Sequence, residues 1–313
     1  MGGGIAWLLT NQNKTTHIHD LSWQAISKAY ETAEDNFNGQ IKRKKLKPRE
    51  KKLKMHNIHC SVENYGLKQC DILFEAVPEK FNIKTSVFKE LEKKVKASTI
   101  LCTNTSSLPI TKLAENLEHK ERFIGVHFFN PVHQMPLVEI IPGKETSEET
   151  IQATLQYMKE LKKIPVLVGD CSGFLVNRIL LPSLNEIGWL IEMGVSAHKI
   201  EEIILDFGMP MGPLRLCDEV GIDVALKVAH VLEEAYGSRM QVPKVFSKLT
   251  QKGWIGKKVY KGFYNYLGGS PKLSSDFLKL FPENKKPPIA NHLIFDHFIL
   301  TMINEAAMCL EEN

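Results

Sequence analysis

His127 and Glu139 are the side chains in this 313-residue sequence best suited to chemistry. The histidine lies near the end of one apolar run and the glutamate lies in the next, within the stretch GVHFFNPVHQMPLVEIIPG over 125–143. Histidine can act as a base near neutral pH, and a carboxylate beside it can fix the orientation of its ring. A lone histidine in an apolar run is usually a core residue, but the Asn-Pro turn between these runs favours a facing pair. The pattern therefore predicts proton-transfer chemistry.

Two neighbouring strands are needed to bring this pair together, and the first half of the chain has the pattern of a sheet. Short β-branched runs alternate with amphipathic helical stretches, which is typical of a parallel sheet wrapped by helices. One helix is predicted over 82–95, with an apolar face formed by Ile83, Val87, Leu91 and Val95. The predicted fold class is α/β, with strands at 15–19, 56–60, 71–77, 99–104, 123–128, 137–141 and 165–168.

After Gly169 the sequence changes to long apolar helices that end at Gly or Pro, which predicts a second, all-α domain. The segment 175–187 aligns with 294–306 at an offset of 119 residues and matches Asn185 and Glu186 to Asn304 and Glu305, so we expect an internal helical repeat. The predicted domains are an α/β domain over 1–169, a helical domain over 170–267, a Pro-, Lys- and Ser-rich linker over 268–291, and a truncated second repeat over 292–313.

Composition limits the class of protein. The chain is 43% hydrophobic, which is enough for two modest domains. No apolar run approaches the roughly 20 residues that cross a bilayer, and the first residues lack the basic start of a signal peptide, so we expect a soluble cytoplasmic protein without a membrane span. Six cysteines without metal-ligand spacing predict reduced thiols rather than a metal site or disulfides: Cys60, Cys70, Cys102, Cys171, Cys217 and Cys309.

Basic residues are concentrated in one segment, KRKKLKPREKKLK over 42–54, which holds nine basic residues and one acidic residue. The simplest interpretation is a solvated helical face beside a turn at Pro48. A binding site for a phosphate-bearing ligand is the functional alternative. Nucleic acid is disfavoured as a partner because no aromatic residue interleaves with the lysines and no recognition module surrounds them.

The start of the chain resembles part of a dinucleotide-binding fingerprint. Such folds begin with a strand, continue with G-x-G-x-x-G at the start of a helix, and place an acidic residue roughly 20 positions further on. Here Met1 and Gly2 begin a predicted helix, and Asp20 ends the next strand. We therefore expect a domain that lacks its first strand. The alternatives are a simple glycine turn and, for Asp20, a helix N-cap before Leu21.

Several motifs together carry a family resemblance. MGGGIA, EAVPE over 75–79, TNTSSL over 103–108, GVHFFNPVHQMPLVEI, SGFLVNRIL and MGPLRLCDEVGID occur in order, and KVYKGFYNY follows them. The chain resembles L-3-hydroxyacyl-CoA dehydrogenases over its whole length. It is most similar to the dehydrogenase region of the multifunctional fatty-acid oxidation complex α subunit.

The resemblance implies a Rossmann-type NAD-binding domain followed by a helical domain. It also implies an activity, the oxidation by NAD⁺ of the 3-hydroxyl group of an acyl-CoA to a ketone during β-oxidation. His127 would be the base and Glu139 the acid that orients it. The implied partners are a 3-hydroxyacyl-CoA substrate and a thiolase β subunit, and a homo-oligomer is compatible with the sequence. The alternative hypothesis is an inactive or non-catalytic fragment that binds acyl-CoA or a partner.

The resemblance also assigns roles to individual residues. Ser106 and Asn177 would join the catalytic pair as substrate-binding residues, and some lysines of 42–54 would approach coenzyme A. Taken alone, Ser106 could be a cap of a helix beginning near Ile110, and Asn177 could be a polar group buried in a helix. His133 receives no role and is expected on the surface of the turn. The implied cofactor-binding residues are Met1, Gly2, Asp20, Val77, Pro78, Glu79, Lys84, Asn104, Ser106 and Asn130.

Overall fold

The computed structural model describes residues 1–286 and 289–312. The chain divides into two compact units, Met1–Cys171 and a second unit that begins at Ser172. The first unit mixes strands and helices, and the second is almost entirely helical.

The first unit alternates helices with strands along the chain. Its helices are α1 (Gly2–Asn11), α2 (Trp23–Lys42), α3 (Pro48–His56), α4 (Phe81–Leu91), α5 (Ile110–Ala114) and α6 (Glu148–Glu160). Its strands are β1 (Thr16–His19), β2 (Ile58–Ser61), β3 (Ile72–Glu75), β4 (Ile100–Thr103), β5 (Phe123–Phe128), β6 (Leu137–Pro142) and β7 (Ile164–Leu167). Each predicted strand is present, with ends displaced by no more than two residues.

The strands form a parallel pair, β1 and β2, and a five-stranded sheet in the order β3-β4-β5-β6-β7. The prediction of a wholly parallel sheet is wrong at one place, because β5 and β6 are antiparallel. The connection between these two strands covers only 129–136, which is shorter than the dozen or more residues that a parallel crossover needs. The chain must therefore turn back, and this brings the end of β5 beside the start of β6.

Helix α4 buries a different face from the one predicted. Ile83 is 37% exposed, whereas Lys84 and Phe88, four residues apart, are fully buried. The helix also ends at Leu91 rather than at 95. The physical reason is that the ammonium group of Lys84 forms an ion pair with the buried carboxylate of Glu75 on β3, so a lysine occupies a core position.

The second unit is built from helices and one short hairpin. The helices are α7 (Val176–Glu192), α8 (Ala197–Asp206), α9 (Pro213–Val220), α10 (Ile222–Tyr236), α11 (Lys244–Gln251), α12 (Ser275–Leu280) and α13 (Asn291–Glu311), and the hairpin strands are β8 (Tyr264–Asn265) and β9 (Lys272–Leu273). Helices α9 and α10 are separated at Gly221, where φ is 99°.

The predicted linker over 268–291 is wrong for much of its length. Strand β9 and helix α12 lie inside it, and the side chain of Phe277 on α12 is fully buried. The ring of Phe277 packs edge-on against that of Phe263, with 5.0 Å between centroids. The buried ring of Phe277 and the N-cap Ser274 stabilise helix α12, although the segment has the composition of a loop. Residues 287 and 288 of this segment lie outside the described residues.

Helices α7 and α13 are joined by an ion pair and a histidine–carboxylate hydrogen bond that mirror the sequence repeat. Nε of Arg178 lies 2.9 Å from Oε1 of Glu305, and Nδ1 of His297 lies 2.8 Å from Oε2 of Glu186. At the offset of 119 residues, His297 corresponds to Arg178 and Glu305 corresponds to Glu186. The two contacts therefore join the same two positions of the repeat, with α7 and α13 exchanged. The contacts between the two helices therefore have an approximate two-fold relation, which supports the predicted internal repeat.

Among the residues that the structure describes, α13 is the one helix whose length and mean hydropathy would suffice to cross a membrane, with 21 residues and a mean hydropathy of 1.4. The expectation that no apolar run is long enough is therefore too strong. The helix carries a buried glutamate, Glu305, that pairs with Arg178, and it places Ile294 and Phe298 in the core of the second unit. Its hydropathy thus serves, at least in part, the packing of a helical unit.

The opposite face of α13 is also apolar. Leu300 and Ile303 are 54% and 59% exposed, whereas the residues that match them at the offset of 119, Leu181 and Leu184, are 7% and 4% exposed. In α7 this face contributes to the core cluster of the second unit. Within the part of the chain that the structure describes, the corresponding face of α13 therefore stays largely exposed.

Asp218 on α9 is a buried carboxylate that accepts three hydrogen bonds. Its Oδ1 accepts from the backbone amide of Phe263 at 2.9 Å, and its Oδ2 accepts from the amide of Tyr264 at 2.8 Å and from the hydroxyl of Tyr266 at 3.1 Å. Burial disfavours the charged form and raises the pKa of Asp218 to about 6, although the hydrogen bonds oppose this shift. The carboxyl therefore links α9 to the β8 hairpin and titrates near physiological pH.

We expect the stabilising contribution of Asp218 to fall as pH rises. Because its pKa in the folded state lies above the usual 3.8, the folded protein binds the proton more tightly than the unfolded chain between these values. The contribution is therefore complete below about pH 4 and is lost by about pH 6. Urea unfolding should show that the stability difference between wild type and Asp218→Asn shrinks by about 2 kcal/mol from about pH 4.5 to about pH 7.5. A difference that stays constant with pH would contradict the assignment.

Candidate active site

His127 and Glu139 face each other across the antiparallel strands β5 and β6. Nδ1 of the histidine lies 2.6 Å from Oε2 of the glutamate, and the two residues are 5% and 1% exposed. A carboxylate on Nδ1 fixes the ring orientation and favours a proton on that nitrogen, which makes Nε2 the atom that can take up a proton from a substrate. The structure thus brings the predicted pair into direct contact.

The surroundings of this pair are apolar and closely packed. All six residues of β5 are buried, and the ring of Phe129 lies 4.6 Å from that of His127, centroid to centroid. Gly125 lets α5 approach the strand, since a Cβ atom at this position would lie 2.7 Å from Cδ1 of Ile110. The contact between His127 and Glu139 is therefore shielded from water, where a charge is screened less than it is at the surface.

The turns that follow β3 and β4 are bound to each other beside this pair. Oε1 of Glu79 accepts hydrogen bonds from the hydroxyl of Thr105 at 2.5 Å and from the backbone amide of Ser106 at 2.8 Å. Oδ1 of Asn104 accepts from the backbone amide of Phe128 at 3.1 Å, next to His127. Because β3, β4 and β5 are parallel, their carboxyl ends share one edge of the sheet, where doubly wound folds bind ligands.

Ser106 is not the cap of the following helix. Helix α5 begins at Ile110, and its first amides, those of Ile110 and Thr111, donate to the carboxylate of Asp170 at 2.7 Å each. The alternative interpretation of Ser106 as a helix cap is therefore wrong. Its role toward a substrate stays a prediction.

The amino end of α1 fits the phosphate group of a dinucleotide. Among the described residues no side chain caps this helix at Met1, and a Cβ atom on Gly2 would lie 3.9 Å from that of Ala76, so the helix begins beside the turn after β3. Gly3 packs directly on α2, since a Cβ atom there would lie 2.3 Å from the carbonyl oxygen of Ala29. An uncapped helix start with glycines is a site where backbone amides can bind an anion.

Asp20 lies directly after β1, and its side chain is exposed. Oδ1 of Asp20 accepts from the amide of Leu21 at 2.7 Å, but the cap of α2 is Ser22, whose hydroxyl accepts from the amide of Ala25 at 3.2 Å. The interpretation of Asp20 as a helix N-cap is therefore wrong. An exposed carboxylate at the end of this strand fits the ribose hydroxyls of NAD.

The remaining cofactor-binding predictions fall in the turns, with one exception. Pro78 and Asn130 are exposed, and the amide of Val77 donates to Glu75 at 2.6 Å. Lys84 is the exception, because its side chain is fully buried and its ammonium contacts Glu75 rather than solvent. The predicted cofactor-binding role of Lys84 stays a prediction.

Asn177 belongs to the second unit, where it lies in the first turn of α7 and is half-buried. The predicted substrate-binding role of this side chain stays a prediction.

The basic segment 42–54 is mostly exposed, with two structural exceptions. Nζ of Lys51 pairs with Glu34 at 2.7 Å, and Nζ of Lys54 donates to the carbonyl of Asn11 at 2.7 Å. These two lysines tie α3 to α2 and to the end of α1. The other basic side chains form an exposed cationic surface at the end of α2 and the start of α3: Lys42, Arg43, Lys44, Lys45, Lys47, Arg49 and Lys52.

His133 is not a simple surface residue. It is half-buried, and its ring packs edge-on against that of Trp7 with 5.9 Å between centroids. Burial lowers the pKa of His133, and the nearby charges of Arg43 and Lys163 add to this effect. Its packing on α1 gives this histidine a structural place in the turn between β5 and β6.

Three residues around the site escaped the sequence analysis. Glu75 ends β3 inside the core, Thr105 binds Glu79, and Asp170 caps α5 from far along the chain. The only sequence signal for Glu75 was an acidic residue at the end of an apolar strand. The described residues contain no group of three or more histidines, cysteines or carboxylates able to hold a metal ion.

Comparisons with known proteins agree with this architecture. Residues 1–171 match the family model of the 3-hydroxyacyl-CoA dehydrogenase NAD-binding domain, and residues 173–266 match that of the C-terminal domain. The crystal structure of (S)-3-hydroxybutyryl-CoA dehydrogenase from Ralstonia eutropha is similar, with a TM-score of 0.81 and 35% identity over 86% of this chain and 96% of that one.

Two bacterial proteins are similar over the whole of this chain. The fatty acid oxidation complex subunit alpha of Vibrio cholerae is 37% identical over 317 residues, and that of Idiomarina loihiensis is 39% identical over 316 residues. The alignments cover 100% of this chain and 44% of each relative, so the chain spans less than half the length of the curated relatives it matches. With an NAD-binding domain of Rossmann type and a helical C-terminal domain, the chain belongs to the 3-hydroxyacyl-CoA dehydrogenase family.

Proposed function

We propose that this chain catalyses the NAD-dependent oxidation of L-3-hydroxyacyl-CoA to 3-ketoacyl-CoA in fatty-acid β-oxidation. The observation that carries the proposal is the buried pair of His127 and Glu139, whose Nδ1 and Oε2 atoms are 2.6 Å apart. This pair lies at the edge of the sheet where the turns of Glu79 and Asn104 meet. Membership of the dehydrogenase family supports the reaction class.

The protein side chains supply the proton chemistry. Nε2 of His127 takes the proton of the 3-hydroxyl group as the bond from C3 to hydrogen breaks, and NAD, when bound, accepts the hydride from C3. Glu139 stabilises the imidazolium that forms and keeps the ring aimed at the substrate. In the reverse direction the imidazolium returns its proton to the ketone oxygen.

Distinct parts of the chain bind the two ligands in this proposal. The amino end of α1 and Asp20 fit the pyrophosphate and the adenosine ribose, and the turns of 77–79 and 104–106 lie on the nicotinamide side. Ser106, whose amide donates to Glu79, binds the acyl substrate. The exposed cationic surface of 42–54 fits the phosphates of coenzyme A, because lysine and arginine bind phosphate groups as charged donors.

The names of the relatives suggest a larger assembly. Both curated relatives are named as the alpha subunit of a complex. We therefore extend the proposal to a partner subunit of the thiolase type, which would consume the 3-ketoacyl-CoA product, and to a location in the cytoplasm. Copurification of the chain with such a partner would test the first of these.

Two measurements on the purified protein separate catalysis from mere binding. Acetoacetyl-CoA should be reduced with NADH, and the loss of nicotinamide absorbance should require both ligands. Calorimetric titration should show binding of NADH as well as of acetoacetyl-CoA. Binding of the thioester alone, without NADH binding or turnover, would contradict the proposal and favour a non-catalytic acyl-CoA-binding protein.

A further inference from the structure

Lys84 is a fully buried ammonium in the first unit. Within the described part of the chain, its Nζ atom forms polar contacts with the turns of the candidate site and with the end of β3. Nζ lies 2.9 and 3.0 Å from the two carboxylate oxygens of Glu75, 3.2 Å from the carbonyl oxygen of Asn104 and 3.3 Å from Oε2 of Glu79. The side chains of Lys84 and Glu75 are 0% and 1% exposed. One ammonium thus connects helix α4 to the end of β3 and to both turns.

The residues that accept hydrogen bonds from Lys84 form further hydrogen bonds of their own. Glu75 also accepts from the amide of Val77 at 2.6 Å and from the hydroxyl of Thr103 at 2.7 Å. Glu79 binds the amide of Ser106 through its other oxygen, and Asn104 binds the amide of Phe128 through its side chain. A continuous chain of charge-assisted and neutral hydrogen bonds therefore runs from Lys84 to the residue after His127.

The energetics of such a group favour a positioning role over a stabilising one. The attraction within a buried ion pair is largely offset by the cost of removing both charges from water. A protein in which well-packed neutral side chains replace such a pair is often as stable as the original or more stable. The ammonium of Lys84 is fully buried and lies within 3.3 Å of both carboxylates, those of Glu75 and Glu79. A buried charge with bonds to several turns does, however, fix their relative positions.

We propose that Lys84 is a positioning residue, which with Glu75 holds the turns of Glu79 and Asn104 in the geometry that binds the nicotinamide end of the cofactor. It acts through its contacts with Glu79 and Asn104. This inference rests on the proposed function for its ligand. The network itself is a property of the protein without a ligand and can be tested separately.

The first test compares the wild type with variants in which neutral side chains replace Lys84 and Glu75. Lys84→Met alone leaves the carboxylate of Glu75 buried without its cation and is expected to lower the unfolding midpoint. Lys84→Met combined with Glu75→Gln removes both charges and should recover most of that midpoint. We expect the double variant still to bind NADH roughly 10- to 100-fold more weakly than wild type, because Glu79 and Asn104 lose their shared cation.

A second buried ion pair in the same unit offers a matched control. Arg122 and Glu92 are 6% and 8% exposed, and Glu92 binds the backbone amides of 118 and 119, away from the cofactor turns. Arg122→Met combined with Glu92→Gln also removes one buried pair. This variant should change the unfolding midpoint by a similar amount and leave the affinity for NADH unchanged.

Hydrogen exchange without any ligand separates this inference from the proposed function. In Lys84→Met/Glu75→Gln the amides of Ser106 and Phe128 should exchange at least about tenfold faster than in wild type, while amides of β6 keep their protection. If the wild type itself fails to bind NADH, the proposed function is wrong, but the exchange result still decides the role of Lys84. A double variant with wild-type NADH affinity and wild-type protection of both amides would overturn the positioning role.

Discussion

His127→Gln is expected to lower kcat for acetoacetyl-CoA reduction by roughly 10²- to 10⁴-fold, the usual contribution of a general acid or base. Glutamine can accept and donate hydrogen bonds at this position, but it cannot carry the proton that the ketone oxygen needs. The dissociation constant of NADH should stay within a few-fold of wild type, because the turns that fit the cofactor do not include this side chain. Steady-state rates from nicotinamide absorbance and calorimetric titration of NADH measure the two quantities.

The first unit also contains a suitable control for this substitution. His119 lies beside Glu121, with 3.2 Å between Nδ1 and Oε1, but both side chains are more than half exposed. His119→Gln therefore removes a histidine that pairs with a glutamate, as His127 does, but at the surface instead of in the core. We expect wild-type kcat for this variant. An equal loss of activity in both variants would mean that His127 has no special role.

Glu139→Gln should also lower kcat by roughly 10²- to 10⁴-fold, although the amide has nearly the same shape as the carboxylate. The amide can present an N–H to Nδ1 of His127, which favours the other tautomer and leaves Nε2 unable to accept a proton. A neutral amide also gives less stabilisation to the imidazolium. Because the pair is buried, solvent cannot replace the lost charge.

Combining the two substitutions tests whether His127 and Glu139 act as a unit. If the only catalytic role of Glu139 is to orient and charge-balance the histidine, its removal matters little once the histidine is gone. The double variant His127→Gln/Glu139→Gln should therefore be about as slow as His127→Gln alone. Losses that multiply in the double variant would show that the two side chains contribute independently, against the proposed mechanism.

The strands and the catalytic pair could be predicted from the sequence because local patterns determine them. Alternating apolar runs place each strand within two residues of its observed ends. The short connection with its Asn-Pro turn forces β6 back along β5, and the register then sets His127 opposite Glu139. The family resemblance carried by the same motifs is confirmed by the match of both domains.

Features that depend on distant residues could not be predicted in this way. Lys84 was not among the residues predicted for the buried face of α4, because a lysine in a helical pattern is normally solvated, and its burial depends on Glu75 on a preceding strand. The amides of α5 are capped by Asp170, 60 residues further along the chain. Phe277 orders a segment that composition alone assigns to a linker. In each case a tertiary contact outweighs the local pattern.

The apolar residues of α13 show a further limit of pattern reading. Hydropathy alone cannot distinguish a membrane span from a helix with two apolar faces, one against α7 and one exposed within the described residues. The reciprocal contacts of Arg178 with Glu305 and of His297 with Glu186 make the distinction, because they place two polar side chains of α13, Glu305 and His297, against α7.

Transfer of deuterium from the cofactor to the substrate tests the central claim most directly. The purified chain is incubated with acetoacetyl-CoA and NADH that carries deuterium at both C4 positions of the nicotinamide, and the product is analysed by mass spectrometry and chiral chromatography. The account predicts L-3-hydroxybutyryl-CoA with one deuterium at C3, formed by wild type and by His119→Gln but at a strongly reduced rate by His127→Gln. Unlabelled product, or labelled product formed equally fast without His127, would contradict it.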